Sequence, residues 1–157
     1  MCEKKTIGIL GGMGPLATAD LFQKITLLTE AETDRDHIRV YIDSNANIPD
    51  RTAAILSNGP DPVPEMASAL RNLEACGADC VIMPCNTAHY FYDRLAAALP
   101  VPVLNMPRLT AADAKAAGCH KLGILATDGT LLAETYQIAC RDIGLEWAAP
   151  GEQAQKG

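Results

Sequence analysis

The stretch that decides the fold runs from Thr6 to Pro15, with the sequence Thr-Ile-Gly-Ile-Leu-Gly-Gly-Met-Gly-Pro. Residues 6–10 are apolar enough to form a buried strand, and the glycines that follow predict a tight turn. Pro15 suits the first position of a helix, because the N–H group that proline lacks would have no partner there. A strand, a turn and a helix in this order predict the opening of an α/β unit.

The same alternation continues along the chain. Apolar runs predict further strands at residues 39–43, 80–83, 103–104 and 121–126. Amphipathic or capped runs predict helices at residues 15–31, 51–56, 64–75, 88–98, 109–117 and 131–143. Since helices separate the strands, the strands are expected to be parallel and joined by right-handed crossovers. The predicted fold is therefore α/β, a flavodoxin-like parallel sheet with flanking helices.

The opening pattern occurs twice. Residues 7–10, Ile-Gly-Ile-Leu, are followed four residues later by Gly14, and residues 122–125, Leu-Gly-Ile-Leu, four residues later by Gly129. The offset of 115 residues predicts one complete unit over residues 1–106 and the start of a second, pseudo-symmetric unit over residues 107–157. It places the counterpart of Cys85 near position 200, so we expect a sequence that is cut short at its carboxyl end.

Composition argues against several classes of function. The chain has 157 residues, of which 48% are hydrophobic and 20% charged, as is typical of a folded globular protein. A net charge of −6 without a Lys/Arg cluster argues against a nucleic-acid partner. No apolar run is long enough to span a membrane. Residues 4–19 resemble a signal peptide faintly, but glycines and Pro15 interrupt the apolar core, so secretion is not expected.

The cysteines form no CxxC pair and no Cys/His spacing typical of zinc. There are six of them: Cys2, Cys76, Cys80, Cys85, Cys119 and Cys140. The three histidines are scattered along the chain, so no metal site is expected. Free thiols indicate a reduced, cytoplasmic protein.

Cys85 is the strongest candidate for chemistry. It lies in the run Pro-Cys-Asn-Thr-Ala-His of residues 84–89, between a predicted strand and a predicted helix. That position is the carboxyl edge of the sheet, where α/β folds place their sites. Asn86 or Thr87 can cap the helix, whose positive end then faces the sulfur and favours the reactive thiolate. His89, one turn further on, is expected to support packing rather than to act as a base.

Arg51 follows the second predicted strand and is expected at the same edge of the sheet. Its planar fork can bind a carboxylate through two hydrogen bonds. An ordinary surface salt bridge is the alternative role for an arginine in such a position.

The glycine-rich turn supplies an alternative function. Gly12, Gly14 and Ala17 fit the pattern G-x-G-x-x-A, and Asp43 ends the next strand. This arrangement is typical of a Rossmann-like dinucleotide-binding domain. Pro15 argues against it, because it removes one of the N–H groups that would hold a pyrophosphate.

Four motifs together resemble the aspartate/glutamate racemase family, and most closely its aspartate racemase and broad-specificity amino-acid racemase branch. They occupy residues 7–15, 48–52, 84–89 and 126–130. The resemblance implies two similar α/β domains across a cleft, each giving one cysteine, with no cofactor and often in a homodimer. The implied activity is racemisation of a small amino acid, aspartate or glutamate. A related isomerase of small carboxylic acids is the nearest alternative.

The resemblance also assigns individual residues. It implies that Cys85 is the catalytic cysteine of the first domain and that Arg51 binds the carboxylate. It places four further residues at substrate contacts: Met13, Asn86, Thr87 and Thr127. The family's second cysteine, in a Gly-Cys-Thr motif, and the lysine before it have no counterpart here, and neither Cys119 nor Cys140 replaces that cysteine by position. A chain that is inactive alone, or a catalytically dead fragment that binds ligand, is therefore expected.

Overall fold

The structure, a computed structural model, describes residues 4–155. Within them five strands occur, β1 (Thr6–Gly11), β2 (Arg39–Ser44), β3 (Cys80–Ile82), β4 (Lys121–Gly123) and β5 (Glu146–Ala148). The α-helices are α1 (Pro15–Leu28), α2 (Arg51–Leu56), α3 (Val63–Ala75), α4 (Tyr92–Ala96), α5 (Met106–Ala116), α6 (Asp128–Leu132), α7 (Thr135–Asp142) and α8 (Glu152–Gln155). Two 3-10 turns lie at Asp34–Asp36 and Thr87–Phe91. No helix of this part of the chain has the length and apolar character needed to cross a membrane.

The first sheet has the strand order β2-β1-β3, and all its strands are parallel. Ile9 at its centre lies opposite Ile42 on one side and Ile82 on the other. Val103 extends the sheet through a parallel bridge to Val81, where the prediction had a strand. This order confirms the predicted parallel α/β fold of the flavodoxin-like type.

Helix α3 covers one face of this sheet because its apolar residues repeat at helical spacing. Met66, Leu70 and Leu73 lie three or four residues apart and are almost completely buried. They pack in one cluster with Val81 and Met83 of the β3 segment. Each side chain of this size stabilises the fold by about 1.5–3 kcal/mol when fully buried. This cluster fixes β3, and with it the chain that leads to Cys85.

The second unit consists of the parallel pair β4 and β5 with helices against it. Strand β4 begins at Lys121, which is 115 residues after Thr6 at the start of β1 and so matches the predicted repeat. A small core cluster holds this unit together, with Ala111, Ala139, Cys140 and Leu145. The predicted boundary after residue 106 falls at the start of α5, and the division into two domains stays a prediction.

Several elements differ from the sequence-based prediction. The strand expected at 121–126 ends at Gly123, the helix expected at 109–117 begins at Met106, and α8 was not predicted. The helix expected at 88–98 begins as the 3-10 turn Thr87–Phe91 and is α-helical only over Tyr92–Ala96. The helix expected at 131–143 is interrupted at Glu134, which has a left-handed φ of 52° and separates α6 from α7. Strand β5 was not predicted, because its three residues are all exposed and show no alternation.

Candidate active site

Cys85 lies at the carboxyl edge of the first sheet, as predicted, three residues after β3 ends. Its N–H group donates to the carbonyl of Met83 over 2.9 Å, so the chain turns sharply at Pro84. The side chain is half-buried and the thiol is free. The predicted capping is wrong, because neither Asn86 nor Thr87 caps the turn with its side chain. The expected activation by a helix dipole is also unsupported, since only a 3-10 turn follows.

The side chain of Thr87 bonds to the second unit instead. Its hydroxyl lies 2.8 Å from that of Thr130 and 3.3 Å from that of Thr127. The Thr127 and Thr130 hydroxyls are 3.1 Å apart, which closes a triangle of three hydroxyl groups. Thr127 also caps α6 by accepting from the Thr130 N–H group. Two predicted substrate contacts are thus joined by Thr130, which the sequence did not single out.

Asn86 is held from the second unit as well. The hydroxyl of Tyr136 on α7 donates to Oδ1 of Asn86 over 2.7 Å. Burial raises the pKa of Tyr136, so this hydroxyl keeps its proton at neutral pH. Since the Asn86 carbonyl is occupied, its Nδ2 hydrogens remain as donors for a ligand. Tyr136 was not predicted as a site residue.

Arg51 begins α2, which Asp50 caps by accepting from the Ala53 N–H group over 2.6 Å. Nη1 of Arg51 donates to two carbonyl oxygens of the preceding loop, those of Ile48 and Pro49. Nε is buried and has no partner among the residues that the structure describes. No carboxylate among the side chains that the structure describes pairs with Arg51, which argues against the surface salt bridge. The Nε–Nη2 edge of the guanidinium therefore remains for a ligand.

Helices α2 and α6 bring Arg51 close to the hydroxyl triangle. Both helices contact the 3-10 turn that follows Cys85, and they contact each other. A Cβ atom at Gly129 would lie 3.0 Å from the Thr52 hydroxyl, so the close approach of the two helices uses the small size of glycine. Arg51, Cys85 and Thr127 thus lie on elements that meet at one place.

Met13 is the predicted substrate contact that the structure supports least. Its side chain is only 6% exposed and packs in the first core cluster with Ile48. Contact between Met13 and a substrate stays a prediction.

Internal hydrogen bonds occupy two of the groups that the dinucleotide-binding alternative would use. The Gly12 N–H group donates to Oγ1 of Thr18 over 3.0 Å, and that hydroxyl donates to the Gly14 carbonyl. Asp43, which would bind a ribose, accepts from Asn72 over 2.9 Å. The Gly12 N–H group and one carboxylate oxygen of Asp43 are therefore engaged within the chain, which argues against the alternative.

The other described cysteines lie away from this edge. Cys76 directly follows α3 and Cys80 begins β3, so both lie at the amino edge of the sheet, and Cys119 precedes β4. Cys140 is completely buried in the second cluster, and burial raises the pKa of its thiol. Cys2 lies outside the described residues. Among the His, Cys, Asp and Glu side chains that the structure describes, no group is arranged to hold a metal ion.

Comparisons with known proteins agree with this geometry. The family model for Asp/Glu/hydantoin racemases matches residues 10–157. The broad-specificity amino-acid racemase RacX of Bacillus subtilis is 31% identical over 150 residues, which are 89% of this chain and 62% of that protein. The aspartate racemase of Picrophilus torridus superposes with a TM-score of 0.86 at 35% identity, over 97% of this chain and 65% of that one.

A glutamate racemase of Francisella tularensis, solved in complex with D-glutamate, shares the fold. It has a TM-score of 0.59 at 19% identity and matches 93% of this chain and 52% of its own. The chain thus spans less than two thirds of the length of each of these three relatives. With most of its residues inside the family model and its fold shared with solved racemases, the chain belongs to the Asp/Glu/hydantoin racemase family.

Proposed function

We propose that this chain provides the carboxylate-binding side and one proton-transfer group of a cofactor-independent racemase of acidic amino acids, aspartate or glutamate. The observation that carries the proposal is the guanidinium of Arg51, whose buried Nε has no partner among the described residues. Its helix contacts the turn that follows the half-buried, free thiol of Cys85. A carboxylate donor and a thiol at one sheet edge suit chemistry at the α-carbon of an amino acid.

Arg51 is anchored in a way that suits a carboxylate. Because Nη1 is held by two loop carbonyls, the guanidinium plane is fixed and its Nε–Nη2 edge can donate two parallel hydrogen bonds. A hydrogen bond to a charged group of this kind contributes about 1.5–3 kcal/mol. The free Nδ2 of Asn86 and the exposed side chain of Thr127 supply further polar groups on the neighbouring segments.

The reaction explains why a second proton-transfer group is needed. The Cys85 thiolate takes the α-proton from one face of the substrate and becomes a thiol. The electron pair left on the α-carbon is delocalised into the carboxylate, where Arg51 stabilises the added charge. A second thiol on the opposite face then gives its proton to the carbon and becomes a thiolate. The two groups exchange roles with each enantiomer, and no cofactor takes part.

We further propose that the second thiol lies outside the described residues. Cys76, Cys80 and Cys119 lie at amino edges of the two sheets, and Cys140 is enclosed in a core cluster, so none of them suits the opposite face. The proposed working enzyme is a cytoplasmic homodimer. Light scattering of the purified protein tests the dimer, and fractionation of source cells tests the location.

The proposed activity is tested with L-aspartate in D₂O. The α-proton is followed by NMR and the enantiomers by chiral chromatography. For residues 1–157 alone we expect α-deuteration with retained configuration, because Cys85 can exchange its proton with solvent on one face only. Cys85→Ala should abolish the exchange. Extending the chain with the carboxyl-terminal segment of the Picrophilus torridus racemase should produce D-aspartate.

Other outcomes distinguish the alternatives. D-aspartate formed by residues 1–157 carrying Cys119→Ala and Cys140→Ala contradicts the two-thiol mechanism. Aspartate binding without deuterium exchange indicates a catalytically dead fragment. NADH binding in a fluorescence titration, without a thermal shift by aspartate, supports the dinucleotide-binding alternative.

A further inference from the structure

His89 is a buried polar residue to which the proposed reaction assigns no step. Its side chain is 5% exposed and lies in the 3-10 turn that follows Cys85. Its Nδ1 lies 2.8 Å from the carbonyl oxygen of Cys85. Its Nε2 accepts a hydrogen bond from the backbone N–H group of Met106, the first residue of α5, over 3.2 Å. The ring therefore bridges the segment that carries the thiol and the start of a helix 17 residues further along the chain.

These two bonds determine which ring nitrogen carries the proton. A backbone N–H group can only donate, so Nε2 must present its lone pair to Met106. A carbonyl oxygen can only accept, so Nδ1 must carry the hydrogen that faces Cys85. Burial lowers the pKa of His89, which keeps the ring neutral as this arrangement requires.

A neutral ring bonded in this way has no nitrogen left to accept a proton from a thiol. The only lone pair in the ring plane is directed at Met106, and the only N–H group is directed at the Cys85 carbonyl. His89 thus differs from the histidine of a cysteine–histidine pair, which takes the thiol proton as a base. What it can do is fix the backbone of Cys85.

We propose that His89 is a positioning residue, which as the Nδ1–H tautomer clamps the Cys85 carbonyl to the amino end of α5 and so holds the thiol at the sheet edge. The proposal rests on the proposed function only in naming Cys85 as the reacting thiol. The clamp works together with the turn in which the Cys85 N–H group donates to the Met83 carbonyl. The backbone N–H and carbonyl groups of Cys85 are then both hydrogen-bonded, and only its side chain is left without a bond.

Two matched variants separate the two bonds. In His89→Asn the amide nitrogen can occupy the place of Nδ1 and donate to the Cys85 carbonyl, but nothing reaches Met106. In His89→Gln the longer side chain can place its oxygen near Nε2 and accept from Met106, but the donor to Cys85 is lost. If His89 serves packing alone, His89→Asn should be the more disruptive variant at both places, since glutamine fills more of the space of histidine than asparagine does.

The experiment compares two signals in the parent protein and both variants, amide hydrogen exchange at Met106 and the carbonyl ¹³C chemical shift of Cys85. We expect His89→Asn to accelerate exchange at Met106 by about fivefold, for the loss of one hydrogen bond, and to leave the Cys85 carbonyl shift unchanged. His89→Gln should move the Cys85 carbonyl shift and leave exchange at Met106 unchanged. The buried Val81 amide, which donates to the Pro102 carbonyl, reports global opening and should not change. The reverse pattern, or equal effects of the two variants on both signals, would overturn the clamp.

Two further measurements keep the proposal testable if a variant does not fold and if the racemase function fails. A long-range ¹H–¹⁵N spectrum of the parent ring should show a protonated Nδ1 and an unprotonated Nε2, and the opposite tautomer would refute the proposal. If the chain binds aspartate, His89→Gln should weaken binding more than His89→Asn does, and the reverse order would count against positioning. The exchange and ring measurements need neither ligand nor turnover, so their results do not depend on the racemase proposal.

Discussion

The hydroxyl of Thr130 lies 2.8 Å from that of Thr87, and this contact joins the turn after Cys85 to the first helix that follows β4. The two residues are 43 positions apart in the sequence, and Thr130 is only 2% exposed. The Thr130 hydroxyl also lies 3.1 Å from the Thr127 hydroxyl. Thr130 therefore contacts both Thr87 and Thr127, which are two of the predicted substrate contacts. The orientation of both contacts therefore depends on a residue that is itself too buried to touch a ligand easily.

Replacing Thr130 tests this dependence. Thr130→Val keeps the shape of the side chain but removes two hydrogen bonds, which leaves the Thr87 and Thr127 hydroxyls with their 3.3 Å contact to each other. We expect the free energy of unfolding to fall by about 1–3 kcal/mol for the two lost bonds. Thr130→Ser keeps the hydroxyl and should cost less than Val does. Urea denaturation measures both. A Val variant as stable as the parent would show that the triangle contributes nothing to stability.

Arg51→Lys tests the carboxylate site. The change keeps the charge but removes the Nε–Nη2 edge, so we expect the affinity for aspartate to fall by about tenfold to a hundredfold. Arg94→Lys is the matched control, because Arg94 forms an exposed pair with Asp61 through two hydrogen bonds. Isothermal titration calorimetry measures both affinities. Unchanged binding in Arg51→Lys would remove Arg51 from the site.

Ligand protection tests the place of Cys85 in the site. Cys76 and Cys119 are exposed while Cys85 is half-buried. The alkylation rates of the three thiols without ligand therefore reflect solvent access as well as reactivity. Saturating aspartate should slow the alkylation of Cys85 by at least about fivefold, because a bound substrate covers the thiol. The rates at Cys76 and Cys119, read from the same peptide map, should stay constant. Equal protection at all three thiols would indicate a general stabilisation instead.

The sequence was most informative where local chemistry determines the backbone. Glycines and Pro15 predicted the first turn and the start of α1, and Asp50 predicted the start of α2. The segment after Cys85 was predicted wrongly, because its residues are bonded to distant parts of the chain. Thr87 bonds to Thr130, and His89 bonds to the start of α5.

The candidate site also contains residues that the sequence could reveal and residues that it could not. Cys85 and Arg51 could be found because each follows a strand, and the ends of parallel strands meet at one edge of a sheet. Tyr136 could not be found, because its partner Asn86 is 50 residues away and a tyrosine in a helix carries no sign of what it contacts. The break at Glu134 was also hidden, since a left-handed backbone is usually signalled by glycine or asparagine.

The lowered pKa of His89 predicts a pH dependence of stability. Burial lowers the pKa below its value in the unfolded chain, about 6.5, so the unfolded state binds the proton first as the pH falls. Stability should be complete above about pH 6.5 and should decrease below it until the folded-state pKa is passed. Asp93 and Arg108 are the charged residues that line the cavity beside the ring.

Urea midpoints between about pH 7.5 and about pH 5 measure this effect. His89→Asn removes the titrating group and should flatten the curve in this range. Three carboxylates also have a lowered pKa, those of Asp36, Asp61 and Asp79. Their contribution to stability is lost only at more acidic pH, as the pH falls through values below about 4. A parent curve as flat as that of the variant would contradict the assignment of this slope to His89.

The last prediction concerns the turn between β1 and α1. Gly12 has φ of +87°, and a Cβ atom there would overlap the backbone of Asn45. Gly77 has the same φ of +87°, but a Cβ atom there would meet nothing within 4 Å. Gly77→Ala therefore shows the cost of the left-handed backbone alone, about 1–2 kcal/mol. Gly12→Ala should cost at least about 2 kcal/mol more, because the loop that follows β2 must move. Urea denaturation of both variants measures the difference, and equal losses would mean that the overlap with Asn45 relaxes freely.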